Sequence, residues 1–262
     1  MDTREMKKSI ACTYLIAIHA LLVVVLLKSD FIVRVQDKLG ASNYPSKSSE
    51  LTDHYHRMLE YHKRMDKNVP DGAVIFIGDS ITQGLCVSAV AMPSVNYGIG
   101  SDTTFGVSQR LLDYQAVSRA GAVVIAIGIN DLKYRSDNDI AENYRTILEQ
   151  IQTTPVIISA VLPVDERALQ RGAGGPPAGA PGPPQTSRRI KTLNSHLEHL
   201  AESMGKVFFV DAGPGLTDDT GNLADIYHVG DGVHLNATGN AIYIEVLKNE
   251  VQKVRQLAVS GK

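Results

Sequence analysis

In the stretch 74–84, VIFIGDSITQG, four apolar residues run straight into Gly78, Asp79 and Ser80. A serine at that point is either a nucleophile at the end of a buried strand or the first polar residue of a turn. As a nucleophile it needs a base for its proton and donors for the oxyanion that develops on an attacked carbonyl. Ser80 offers its hydroxyl and its own backbone N–H. In Asn96-Tyr97-Gly98-Ile99-Gly100-Ser101-Asp102, Gly98 can present an N–H with no side chain in the way. In Gly128-Ile129-Asn130-Asp131, the Asn130 amide can complete an oxyanion hole. The base is suggested by Asp231-Gly232-Val233-His234, where a carboxylate three residues before a histidine can fold back onto its second ring nitrogen and fix the tautomer. Asp225 and His228 offer a competing pair, but the glycine inside DGVH favours the tight loop at Asp231 and His234. Asp79 and Asp131 read as scaffold. Each cluster alone reads as a turn or helix cap; their conjunction is what points to acyl transfer.

Those clusters need elements to bring them together. Apolar runs at 73–77, 94–97, 122–127 and 156–161, with a possible fifth at 206–211, predict buried strands, and helical patterns fall at 104–114, 140–153 and 188–204. Strands with little alternation, separated by helices, predict a parallel sheet covered on both faces. In such sheets the ligand site lies beyond the carboxyl ends of the strands, which is where three of the four clusters fall.

A chain of 262 residues, 44% hydrophobic and 21% charged, can bury one substantial core. With 26 basic and 28 acidic residues it carries no broad field that would suit nucleic acid. Its two cysteines, Cys12 and Cys86, form neither a metal spacing nor a disulfide framework. The sequence predicts no cofactor and no metal. Residues 9–27 contain no formal charge, follow Arg4, Lys7 and Lys8, and are closed by Lys28. A helix over them reaches about 28 Å, close to the hydrocarbon thickness of a bilayer. This predicts a single-pass anchor after a short tail (1–8), with the large domain on the extracytoplasmic side. A cleaved signal is the competing reading, disfavoured by the length of the run and by the lack of an A-x-A pattern. A linker and an amphipathic helix are expected over 28–68 and the catalytic domain over 69–262, interrupted at 171–185 by RGAGGPPAGAPGPPQ, read as a flexible or extended surface insertion.

The blocks IGDSITQG, NYGIGSDTT, GIND and DGVHLNATG together resemble the SGNH, or GDSL-type, esterase and lipase family. Within it the VLP at 161–163, the run at 188–194 and FFVDAGPGLTDDTGNL at 208–223 resemble the platelet-activating-factor acetylhydrolase-type branch. The resemblance implies a flavodoxin-like three-layer α/β/α sandwich. It implies Ser80 as nucleophile, His234 as general base and acid, Asp231 as its orienter, and the Ser80 and Gly98 N–H groups with the Asn130 amide as oxyanion donors. The implied reaction is ester hydrolysis through an acyl-serine, on an acyl ester of lipid or glycan with a short acyl group such as O-acetyl. An acyltransferase acting on cell-envelope polysaccharide is the alternative, and a non-catalytic envelope-assembly or carbohydrate-binding protein a further one. The anchor and the Gly/Pro insertion depart from soluble members and leave the substrate open.

Overall fold

The computed structural model describes residues 50–172 and 184–260, together with Tyr14, Leu15, Ile18 and His19. The chain divides into two units, 1–46 and 47–262. Of the first, the four described residues are helical, and His19 Nδ1 lies 2.7 Å from the Leu15 carbonyl. The rest of the expected anchor and most of the linker lie outside the described residues. Among the described residues, no helix is long and apolar enough to cross a membrane.

In the second unit, strand β1 (Val74–Gly78) is buried along its whole length, which is why its sequence lacks the alternation of a half-exposed strand. It is flanked by β2 (Ser94–Gly98), in the register Gly78↔Gly98, and by β3 (Ala122–Ala126), in the register Gly78↔Ala126. β4 (Val156–Ser159) and β5 (Val207–Val210) continue the sheet, every pairing is parallel, and the order is β2-β1-β3-β4-β5. The order reverses between β1 and β3, so a crevice opens at their carboxyl ends.

Successive strand residues point to opposite faces. Ile75, Ile77, Val123 and Ile125 join a core shared with helices α1 (Asp53–Asp66), α4 (Thr104–Arg110), α5 (Asp137–Ile151) and α7 (Pro184–Glu202). Val74, Phe76, Ala122 and Val124 join another with α3 (Val87–Val90) and α8 (Ala237–Ser260). Helix α2 (Ser80–Gln83) turns the chain out of β1, and α6 (Glu166–Gly172) follows β4. Two layers of helix around a parallel sheet match the architecture the sequence predicts. Residues 173–183, the middle of the Gly/Pro segment, lie outside the described residues; its flanks, up to Gly172 and from Pro184, continue α6 and α7.

The second unit takes in residues before 69, where the catalytic domain is expected to start. The amphipathic helix expected within 28–68 is present as α1, capped by the Thr52 hydroxyl accepting from the Tyr55 N–H at 3.1 Å, and it buries Tyr55, His62 and Asp66. The Tyr55 hydroxyl donates to the Gly106 carbonyl at 2.9 Å, and Asp66 accepts from the Tyr97 hydroxyl at 2.9 Å. Positions 55, 62 and 66 share one helical face, although two of the three are polar.

Candidate active site

Ser80 is placed by the strand that precedes it. β1 delivers the chain to Asp79, whose carboxylate accepts the Ile81 N–H at 2.9 Å and so caps α2, making Ser80 its first residue. The helix then lies against β2 so closely that a side chain on Gly98 would stand 2.2 Å from the Gln83 nitrogen. Asn96 holds the two together, its amide donating to the Thr82 carbonyl at 2.7 Å and the Leu85 carbonyl at 3.1 Å. Beneath them sits Arg110, fully buried, with Nε on Asp102 at 2.9 Å, Nη1 on the Tyr97 carbonyl at 2.8 Å and Nη2 on the Gly78 carbonyl at 3.2 Å. One guanidinium therefore ties the ends of β1 and β2 to the loop between β2 and α4. At the sequence level Arg110 reads as a surface residue of a predicted helix; the acid eight positions before it, Asp102, gives no periodic signal.

The Asp231–His234 loop meets Ser80 from the other side. Ser80 Oγ and His234 Nε2 are 2.8 Å apart, and His234 Nδ1 is 2.5 Å from Asp231 Oδ2. Asp231 Oδ1 also accepts the Val233 and His234 N–H groups, each at 2.9 Å. Partial burial would raise the Asp231 carboxyl, but these hydrogen bonds outweigh it and hold the group below its ordinary range. An ionised Asp231 can only accept, so His234 donates from Nδ1 and presents the Nε2 lone pair to the Ser80 hydroxyl. That tautomer is the one a general base requires. The three residues the sequence singled out thus form one hydrogen-bonded chain.

The donors are arranged differently from the expectation. The Gly98 N–H already donates to Asn96 Oδ1 at 2.8 Å, so the third donor expected there is occupied. The physical reason is an Asx turn: Asn96 lies two residues before Gly98 and captures its amide. Asn130 stands where expected, opening the 3₁₀ turn after β3, and one amide hydrogen reaches the Asp102 carbonyl at 3.0 Å, leaving the other uncommitted. That contact sets Asn130 against the loop holding Ser101, an exposed residue in the left-handed region at φ 64°. The N–H groups of Ser80 and Ser101 make no hydrogen bond within the described protein. The signal for Ser101 is its place in a Gly-x-Gly-Ser-Asp loop, where the glycines draw the attention.

Asp79 and Asp131 take the scaffold roles expected of them. Burial, with help from Asp102 and Asp131, pushes the Asp79 carboxyl up to about 7 despite its bond from Ile81. Burial also raises Asp131, to about 6, against the Thr104 hydroxyl and Arg135. Asp131 receives the Thr104 N–H and hydroxyl and an Arg135 N–H, and Arg135 continues to Glu50 at 2.5 Å. Cys86 is a free, exposed thiol. The sequon-like Asn236 spends its amide on the Ile226 and His228 carbonyls and its oxygen on the Thr238 and Gly239 N–H groups, capping α8.

A parallel sheet with this order, a serine after β1 and a His–Asp pair before the last helix define a serine hydrolase of the α/β/α type. Residues 76–242 match the model of the GDSL-like lipase/acylhydrolase family; the chain belongs to that family and is a serine ester hydrolase. Among solved structures, it is similar to a Streptococcus pneumonia protein provisionally called a platelet activating factor, with 21% identity over 86% of this chain and 100% of that one and a TM-score of 0.68. A GDSL-like lipase from Bacteroides thetaiotaomicron aligns at 21% identity over 74% and 97% of the two chains with a TM-score of 0.62. A catalytic mutant of an acetylxylan esterase from Geobacillus stearothermophilus aligns at 18% over 69% and 94% with a TM-score of 0.53. None of the curated proteins compared with the chain matches it.

Proposed function

We propose that this chain is a membrane-anchored carboxyl-ester hydrolase in which Ser80 is the nucleophile, His234 the base and then acid, and Asp231 its orienter. The observation that carries the reading is the continuous chain from Ser80 Oγ through His234 to Asp231, at 2.8 and 2.5 Å. As Ser80 Oγ bonds to the acyl carbon, its proton passes to His234 Nε2 and the carbonyl π electrons move onto oxygen. The Ser80 N–H, the Asn130 amide and the Ser101 N–H stabilise that oxyanion, Ser101 taking the place first expected of Gly98. Collapse breaks the bond to the alcohol oxygen, which leaves with the proton from His234. Water, deprotonated by the same nitrogen, then releases the acid and restores Ser80. The His234 side chain is 44% exposed, so water reaches the base, which favours hydrolysis over transfer to a second alcohol.

The substrate we infer is a short acyl ester, such as O-acetyl, on a polar alcohol. A pocket of about 370 Å³ at the carboxyl ends of β4 and β5 mixes Ser187, Lys191, Asn194, Asp211 and Thr217 with Val161 and Ile190. Val161 also lines a cavity of about 20 Å³ beside Asp79 and Ile81, so the pocket adjoins the nucleophile's turn. The lining is mainly apolar with these polar groups at intervals, a mixture that gives a short acyl group apolar contact and the hydroxyls of a glycan or a lipid headgroup a few partners. Residues 9–27 would tether the enzyme, domain outward, where envelope glycans and lipids present such esters. The full chain in detergent, assayed on p-nitrophenyl esters from acetyl to palmitoyl, is expected to prefer acetyl. Undiminished activity in Ser80→Ala would sink the assignment, and acetyl transfer to a glycan acceptor in excess of free acetate would favour the transferase.

A further inference from the structure

Asp231 and His234 belong to no helix or strand; the loop that carries them is closed at its base by an isolated antiparallel bridge, His228↔Leu235. At its start lies His228, whose side chain is 3% exposed. His228 Nδ1 accepts two backbone donors, the Gly230 N–H at 2.9 Å and the Gly232 N–H at 3.2 Å. Both glycines are in the left-handed region, at φ 101° and 79°, so the chain curls twice and turns alternate amides inward onto one nitrogen. The curl is anchored outside the ring as well: the Gly232 carbonyl accepts the Asp165 N–H at 2.8 Å, and the His228 carbonyl accepts the Asn236 amide at 3.2 Å.

Because Nδ1 accepts, its lone pair is in use and the ring proton of the neutral imidazole lies on Nε2. Nε2 lies 3.4 Å from Asp225 Oδ1 and 3.6 Å from Asp165 Oδ2, longer than a hydrogen bond but close enough for the negative charge there to favour a proton on Nε2. One ligand atom each of Asp165, Asp225 and His228 lies within 4.8 Å of the others, a grouping that resembles a metal site. A cation on Nε2 would need the lone pair there and the proton on Nδ1, where it would meet two N–H donors. The two uses exclude each other.

We propose that His228 is a positioning residue for ester hydrolysis: its Nδ1, as a double acceptor, folds the 228–232 turn that sets Asp231 and His234 against Ser80. The inference rests on the assignment of those three residues given above.

Atom-level substitutions test it on the full chain in detergent with p-nitrophenyl acetate. In His228→Asn, Oδ1 falls near the place of Nδ1 and can accept both amides; in His228→Gln the polar atoms reach instead to the place of Nε2. We expect His228→Asn to keep kcat within about threefold, while His228→Gln and His228→Ala lose about 30- to 100-fold in kcat with KM little changed, the scale of a misplaced catalytic group. Gly230→Ala meets no atom within 4 Å but strains the backbone, and should cause a similar loss that does not add to that of His228→Ala. His228→Gln matching or exceeding His228→Asn would overturn the proposal. So would additive losses in the double variant, or activity removed by chelator and restored by zinc. Should His228→Asn not fold, the Gly230→Ala coupling decides alone. If wild type and Ser80→Ala hydrolyse the ester equally, the parent assignment has failed instead.

Discussion

The two sides of the site are held by different means. On the nucleophile side, placement depends on buried ionisable groups: Arg110 is 0% exposed, Asp79 2% and Asp131 0%, and each is bonded to backbone near Ser80, Asn130 or their loops. On the base side, the Asp231 and His234 side chains are 43% and 44% exposed, and backbone amides gathered by Asp231 and His228 fix their position. A buried ion stabilises little net but costs much when its partner is removed, whereas an open loop can lose a contact without unfolding the core. Damage on one side should therefore register as stability, and on the other as rate.

The largest effect expected is from His234→Ala, which should lower kcat by about 10⁶-fold while leaving the thermal midpoint near wild type. Asp231→Asn should cost about 10⁴-fold by presenting the wrong tautomer, again with little change in melting. Arg110→Met tests the opposite side: it strands Asp102 and frees the Gly78 and Tyr97 carbonyls, and should destabilise by about 3–5 kcal/mol in urea unfolding. A variant of Arg110 that melts like wild type would break the comparison. Asn130→Ala should reduce kcat by about 10²–10³-fold as a lost oxyanion donor.

The smallest effect is on pH. The folded chain holds the Asp79 proton up to about pH 7, whereas the unfolded chain releases it near 3.8, the ordinary value of an aspartate. The folded state therefore binds more protons between those values, and this contribution to stability, full below the lower one, is lost as pH rises through the upper. Asp79→Asn keeps an oxygen for the Ile81 N–H but has no proton to lose. Its midpoint should exceed that of wild type by a few degrees at pH 8, with the gap closing toward pH 4.

Much of this was readable before any coordinates. Buried strands advertise themselves by continuous apolar runs, and residues just past them by abrupt polarity, so the five strands, Ser80, Asn130 and the Asp231–His234 pair could all be picked out. What could not be read depends on distance along the chain. Arg110, Asp102, Arg135 and Glu50 look like surface charge in sequence, because nothing local reveals that each has a buried partner. Gly98 was misjudged for a subtler reason: a glycine serves close packing and open amides alike, and only the asparagine two residues earlier hinted that this amide was already taken. His228 reads in sequence as a rival base, because nothing local shows that its Nδ1 accepts the Gly230 and Gly232 N–H groups.

The central claim is that Ser80 is made nucleophilic by His234. A fluorophosphonate ester, which reacts only with an activated serine, followed by peptide mass analysis of the full chain, tests this most directly. A single phosphonyl adduct on the peptide containing Ser80 is predicted, lost in Ser80→Ala and formed far more slowly in His234→Ala. An adduct on another residue, or labelling of Ser80 at the wild-type rate without His234, would contradict it.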